Sequence, residues 1–260
     1  MEFRLLNTGF QSAAINMAID EAVLEHVAAE KSPPTLRFYG WSPAAVTIGY
    51  FQSLVSEIDL DACKKYGVQY VRRITGGGAV LHEHEITYSI HIPEKSHIVP
   101  SGILESYRKI SEGIIRGLNL LKLEAQFVPL NDIVLKDPTA NGLLKKISGN
   151  AQTRKKNVIL QHGTTLLKVD VEKMFEILKV PDEKMKGKLI EDVKQRVTSI
   201  SWVLGREVAF EEATKVFTQG FRDAFEASPF TEAELTKEEL DRARALYAEK
   251  YNSDRWNMKR

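Results

Sequence analysis

The stretch Val71–Val80, VRRITGGGAV, places an apolar strand edge and two arginines directly ahead of three consecutive glycines. Ordering glycine costs more backbone freedom than ordering any other residue, and an ordinary turn needs one or two of them. The triplet therefore predicts a loop that something approaches closely, and the arginines give that something a negative charge. After the glycines, AVLHEHEITYS alternates like another strand and does not open a helix. The loop thus matches neither the dinucleotide fingerprint nor the P-loop. Arg72 and Arg73 point to opposite faces if the strand persists, so one of them reaches the ligand. The plain alternative is a glycine-rich hairpin with solvated arginines, and on spacing alone the two readings stand level.

The surrounding chain has 260 residues, 43% hydrophobic and 27% charged, enough for a globular domain with a sizeable core. Its 36 basic and 35 acidic side chains nearly cancel, which argues against a dedicated duplex-nucleic-acid binder. Phosphate recognition, if present, is local. One cysteine, Cys63, excludes an intrachain disulfide and a cysteine zinc site. The start, MEFRLLNTGF, lacks an apolar signal core and no run suits a membrane span, so a cytoplasmic location is expected.

INMAIDEAVLEHVAAE sets Ile15, Ile19, Ala22, Val23 and Val27 on one helical face. TLRFYGW and AVTIGYFQ read as strands, DLDACKKYG as a short helix ending at Gly67, and VQYVRRIT as the strand entering the glycines. EITYSIHIP alternates Ile86, Tyr88, Ile90 and Ile92 on one side. ESYRKISEGIIRGLNLL is a helix with Ile110, Ile114, Leu118 and Leu121 in a stripe. EAQFVPLNDIVL, KKISGNAQ and VILQHGTTLLKV have strand character, and from Val171 onward the chain reads as helical, DEKMKGKLIEDVKQRV included. TKEE at Thr236–Glu239 is a capping box. The expected fold is α/β: a mixed, largely antiparallel sheet with helices packed on it, in a single domain over 1–260 whose last part, about 205–260, is mainly helical.

Three further stretches could carry chemistry. In NGLLKKISGNAQTRKK, Lys146 abuts the apolar Ile147 and precedes Gly149, a reasonable way to hold a phosphate as a point charge. In PLNDIVL, Asn131 and Asp132 could face a Mg²⁺ carried with a nucleotide phosphate, although Asn and Asp also favour plain turns. His82, His84 and His162 tempt a metal reading, but they lack the further ligands a zinc site needs. Cys63 sits on a helix without a local base and reads as structural.

Together these stretches resemble the lipoate–protein ligase family, within the biotin/lipoate ligase and lipoyl/octanoyl transferase superfamily. The family pattern R-R-x-x-G-G-G-x-V-x-H-[DE] stands here as RRITGGGAVLHE, followed by LNDIVL, KKISGNAQ, HGTTLL and RVTSI. RFYGWSPAAVTIGYFQ and the terminal YNSDRWNMKR also look familial, so the resemblance runs nearly end to end. It implies a catalytic domain related to biotin ligases and class II aminoacyl-tRNA synthetases. The implied reaction uses ATP and Mg²⁺ to turn lipoate into lipoyl-AMP, then moves the acyl group to a lysine of an apo lipoyl domain. Such acceptors belong to 2-oxoacid dehydrogenases or are the glycine-cleavage H protein. By resemblance Lys146 is the catalytic cation touching the acyl carbonyl and the phosphate. Arg73 and the loop Gly76, Gly77, Gly78, Ala79, Val80 and Leu81 line the nucleotide and lipoyl tunnel, and His82 orients that loop. Asn131 and Asp132 face the nucleotide, with Asp132 toward the metal, while Gly149 and His162 belong to the familial binding elements. Glu83 departs from the family, where Asp usually follows the loop histidine. The chain ends at RWNMKR, which suggests the catalytic part of a two-part ligase with a separately encoded accessory subunit.

The rival is an octanoyl or lipoyl transferase of the same superfamily, which takes its acyl group from a carrier protein without ATP. Those enzymes use a cysteine nucleophile. Neither FVPLNDIVLKDPTANGLL nor VILQ, where it would lie, contains one, which leaves a cysteine-independent or atypical octanoyl or lipoyl transferase open. A biotin ligase is disfavoured because its charged Gly-Arg loop is absent. A non-catalytic protein that binds lipoyl domains or nucleotides is disfavoured by Lys146, Arg73 and the Asn-Asp pair.

Overall fold

The computed structural model describes residues 1–180 and 185–259. The helical reading of residues 181–184, and Arg260 of the terminal motif, lie outside the described residues. The chain opens with β1 (Phe3–Gln11), α1 (Ala13–Ala28), β2 (Thr35–Trp41) and β3 (Ala45–Ile48). Then come α2 (Leu54–Glu57), α3 (Leu60–Tyr66), β4 (Gln69–Arg72), β5 (Val80–His82), β6 (Glu85–Pro93) and α4 (Ile103–Leu120). Four more strands are β7 (Ala125–Val128), β8 (Asp132–Asp137), β9 (Leu143–Lys155) and β10 (Val158–Leu166). The remainder holds α5 (Val171–Ile177), α6 (Lys186–Arg196), α7 (Ile200–Leu204), α8 (Phe210–Ala224), β11 (Phe230–Glu232), α9 (Lys237–Leu246) and α10 (Asp254–Asn257).

Eight strands form one sheet in the order β11-β1-β2-β6-β10-β9-β8-β7, and β4-β3-β5 form a second, small one. In the large sheet β1 runs parallel to β2 and β11, and the remaining neighbours are antiparallel. This is the mixed, largely antiparallel architecture expected. Alternation along the strands sorts side chains between two helical layers. Phe38, Tyr88 and Ile90 pack with Ile110, Ile114 and Leu118 of α4 and with Phe217 and Phe221 of α8. Tyr39, Trp41 and Leu160 face the other way, onto Val23 and Val27 of α1 and Leu246 of α9. Thr236 caps α9 in the expected box.

Several boundaries differ from the sequence expectation. The AVTIGYFQ strand stops at Ile48, and VQYVRRIT stops at Arg72, because the chain turns to bring Gly49 against the glycine loop. EAQFVPLNDIVL is two strands joined by a turn that contains Asn131. The region after Val171 is not wholly helical: Phe230–Glu232 pairs in parallel with Phe3–Leu5, which a three-residue strand cannot announce locally. EITYSIHIP differs in kind. Its second face, Glu85, Thr87, Ser89 and His91, is as buried as its apolar one and lies beneath α1.

Candidate active site

The glycine loop leaves β4 between two buried arginines, so the solvated-hairpin alternative fails. Arg72 is wholly buried on one face, where its guanidinium donates to the carbonyl oxygens of Gly49, Tyr50, Gln52, Trp256, Asn257 and Lys259. It ties the carboxy-terminal segment to the turn after β3. Arg73 faces the opposite side, as expected, and lines a cavity of about 440 Å³. All its N–H groups find protein acceptors: Nε donates to Thr75 Oγ1 at 3.1 Å, Nη1 to the carbonyl and hydroxyl of Thr47, and Nη2 to the carbonyls of Gly76 and Gly78 at 2.7 and 2.8 Å. Burial lowers its pKa to about 10, which leaves it charged at neutral pH. Arg73 thus shapes the loop and leaves a fixed positive charge behind it.

Of the three glycines, Gly77 has a φ of +95°, which disfavours a side chain. A β-carbon at Gly76 or Gly78 would meet open space, so close approach from outside accounts better for these two. Gly77, Gly78, Ala79, Val80 and Leu81 line the cavity together with His82, whereas Gly76 holds the loop through its carbonyl. The interior wall is mainly apolar, with Leu166, Met174, Leu178, Val193 and Val197 facing Leu81 and Ile147. Such a chamber with a few convergent polar groups suits an acyl chain.

Lys146 lies on β9 beside a β-bulge, where Ile133 pairs with Ser148 and Val134 with Lys146, leaving Ile147 as the extra residue. Its side chain is 44% exposed, which places the ammonium at the mouth. Gly149 makes room for it, since a β-carbon there would stand 3.2 Å from Lys146 Cε and Nζ. Asp132 sits 2.7 Å from that ammonium and so pairs with Lys146 instead of presenting a free carboxylate to Mg²⁺. Among the described residues no group of three or more His, Cys, Asp or Glu side chains could hold a metal. The described residues therefore do not form an all-protein cage for an ion, and Asp132 is taken up by Lys146. Asn131 lines the cavity but is committed to Asn150: each side-chain amide donates to the other residue's backbone carbonyl, at 2.6 and 2.9 Å, which locks the β7–β8 turn onto β9.

A layer of buried polar residues lies behind the cavity. His82 Nε2 is 2.9 Å from Thr47 Oγ1, its Nδ1 is 3.5 Å from Glu85, and its ring stacks on Trp41 at 4.2 Å. Burial and the nearby Arg73 charge hold His82 neutral, well below its ordinary pKa. Glu85 lacks a cation, and burial pushes its carboxyl up to about 8. His162 Nε2 lies 2.7 Å from Thr75 Oγ1, and its Nδ1 lies 3.5 Å from Asp20. Burial pushes the Asp20 carboxyl up, but Arg37 at 2.7 Å and the neighbouring histidines overcome this and hold it ionised. Tyr39 and Ser89 hydroxyls also donate to it. Asn16 and Asp20 could have been found from the sequence, because polar residues four apart fall on the same face as Val23 and Val27. Cys63 lies in a separate apolar cluster with Val46, Ile58 and Ile177, away from the cavity lining.

An apolar chamber with a lysine at its mouth and a glycine loop along its wall defines an acyl-handling enzyme of α/β architecture. The chain belongs to the lipoyl protein ligase A/B catalytic domain family, whose model matches residues 12–222. It is 41% identical to the octanoyltransferase LipM of Geobacillus kaustophilus over 99% of this chain and 98% of that one. It is 38% identical to the octanoyltransferase LipM of Bacillus subtilis at the same coverage. Among solved structures, a bi-partite lipoate protein ligase of Thermoplasma acidophilum, studied with its E2 lipoyl domain, superposes with a TM-score of 0.86 at 31% identity, covering 99% of this chain and 96% of that one. A lipoate-protein ligase A bound with ATP gives 0.81 at 29%, covering 99% of each chain.

These relatives overturn the expected ATP-dependent ligase reaction through lipoyl-AMP. The curated relatives matched end to end at the higher identities are octanoyltransferases, the class set aside for want of a cysteine. Within the site Lys146 pairs with Asp132, and the N–H groups of Arg73 are all taken by protein acceptors. No described helix is long and apolar enough to cross a membrane.

Proposed function

We propose that the chain is an acyltransferase that moves an octanoyl-class group from a thioester donor to the lysine of a lipoyl domain, without ATP and without a cysteine nucleophile. The observation that carries this reading is the end-to-end similarity to octanoyltransferases in a chain whose one cysteine is buried outside the cavity. A thioester is already activated, so the protein's part is to bind the acyl chain, exclude water, stabilise the oxyanion that develops on the carbonyl and let the attacking amine lose its proton. Leu81, Leu166, Met174 and Leu178 would hold the chain, and Lys146 at the mouth would face the carbonyl oxygen. The acceptor lysine then attacks directly while donor and acceptor are both bound. The acceptor class is that of the lipoyl domain that accompanies the T. acidophilum relative. The accessory subunit expected for adenylation has no step to serve in this route.

The test presents an apo lipoyl domain with an octanoyl thioester of a carrier protein, or with free lipoate and ATP, each alone. Transfer from the thioester in the absence of ATP is the expected result. A strict requirement for ATP would sink the reading.

A further inference from the structure

We infer that His162, oriented by Asp20, accepts the proton that the acceptor lysine must lose in this transfer, an inference that rests on the transferase reading above. The acceptor arrives as an ammonium and must give up a proton before its Nζ can form the N–C bond. As the C–S bond breaks, the electron pair leaves on sulfur, which takes up a second proton from the attacking nitrogen. The products are an amide and a thiol, with one proton released per turnover. A cysteine-free route therefore needs a base in the cavity at the moment of attack.

The other cavity groups are poorly placed for this. Glu85 is a buried carboxyl with no cation beside it, held in its protonated form. Glu83 is paired with Lys173 at 2.5 Å, and Lys146 is an ammonium on Asp132. His82 faces only the uncharged Glu85 carboxyl through Nδ1, at 3.5 Å, so no carboxylate orients it or balances a proton taken up on its ring. His162 alone among the cavity histidines has an ionised carboxylate facing one ring nitrogen while the other faces a hydroxyl.

The surrounding bonds assign its tautomer. Asp20 can only accept, so the ring proton sits on Nδ1 and Nε2 is the accepting nitrogen. Thr75 Oγ1 accepts from Arg73 Nε, which leaves its own hydroxyl hydrogen to point at His162 Nε2. The incoming ammonium replaces that hydroxyl on Nε2. Asp20 is a positioning residue: α1 holds it over β10, and Arg37, Tyr39 and Ser89 fix its oxygens. The charged and titratable groups facing the pair are Arg37 and Tyr39 from β2, His82 from β5, His91 from β6, Tyr251 from the segment after α9, and Arg73.

The experiment measures octanoyl transfer from a carrier-protein thioester to an apo lipoyl domain across pH, for the wild type, His162→Ala and His162→Gln. Thermal melts establish folding, and His162→Gln supplies the answer if the alanine variant does not fold. Both variants should lose about 10²-fold in kcat with little change in the donor KM, and the acid limb of the pH profile should disappear. Added imidazole should restore His162→Ala in proportion to its free-base form. Folded variants within about threefold of wild type, or a slow His162→Ala without imidazole rescue, would overturn the assignment while the transferase reading stands. A wild type that transfers nothing from the thioester would overturn both.

Discussion

Gly149 and Lys146 lie against each other on one strand, so closely that a β-carbon on Gly149 would stand 3.2 Å from both Cε and Nζ of the lysine. The lysine is half exposed and can yield, so Gly149→Ala should fold normally. Its ammonium will nevertheless move relative to Asp132 and the mouth. Small displacements of a charge that stabilises a transition state are costly, and kcat should fall by about tenfold with melting temperature nearly unchanged. Steady-state transfer assays beside a thermal melt check this; unchanged kcat would mean the lysine's position is not critical.

Glu85 makes stability depend on pH in a direction opposite to that of a salt-bridged carboxylate. Its pKa is raised from 4.5 to about 8 by burial, so the unfolded chain releases this proton first as pH rises. The group therefore contributes no penalty below its unfolded pKa, and stability is lost progressively from there up to about pH 8. Glu85→Gln removes this dependence. The variant should gain on wild type by roughly 1 kcal/mol per pH unit across that window, as read by urea denaturation at several pH values. A difference that does not vary with pH would contradict a buried neutral Glu85.

Arg72 holds the end of the chain to the turn beside the glycine loop through six backbone carbonyls. Lysine has three donors and no planar fork, so Arg72→Lys leaves several buried acceptors unsatisfied. The expected cost is about 3 kcal/mol, with faster proteolysis of the carboxy-terminal segment. A loss below about 1 kcal/mol in chemical denaturation would show that water or relaxation replaces these bonds.

Much of the cavity was legible because its residues act through spacing. RRITGGGAVLH, KKISG and HGTTLL each keep their neighbours in a short stretch, and the structure brings most of them to one chamber. The helical stripe of Ile110, Ile114 and Leu118 and the box at Thr236 were legible for the same local reason. The structural role of Arg72 is not legible locally, because its partners come from Gly49–Gln52 and from the far end of the chain. Arg37 and Glu85 are not legible as site residues because their meaning depends on α1 lying over the polar face of β6. The reaction is not legible in the motifs, because the chain lacks the cysteine that marks a transferase and yet is similar to an octanoyltransferase along its whole length.

Cys63 provides a control on that last point. It is buried, and desolvation pushes its thiol up to about 11, so little thiolate exists at neutral pH. Cys63→Ala should transfer acyl groups within about twofold of wild type, and the native protein should resist iodoacetamide. Inactivation that tracks alkylation of Cys63 would contradict its structural role.

The central claim is direct transfer, with no acyl group resting on the enzyme. It is tested most directly by mixing the protein with an octanoyl thioester of a carrier protein and then with an apo lipoyl domain, without ATP, while following every intact mass. The account predicts an octanoylated lipoyl domain and an enzyme that keeps its unmodified mass throughout. An octanoyl adduct on the enzyme that forms and decays in step with product, or no product until ATP is added, would contradict it.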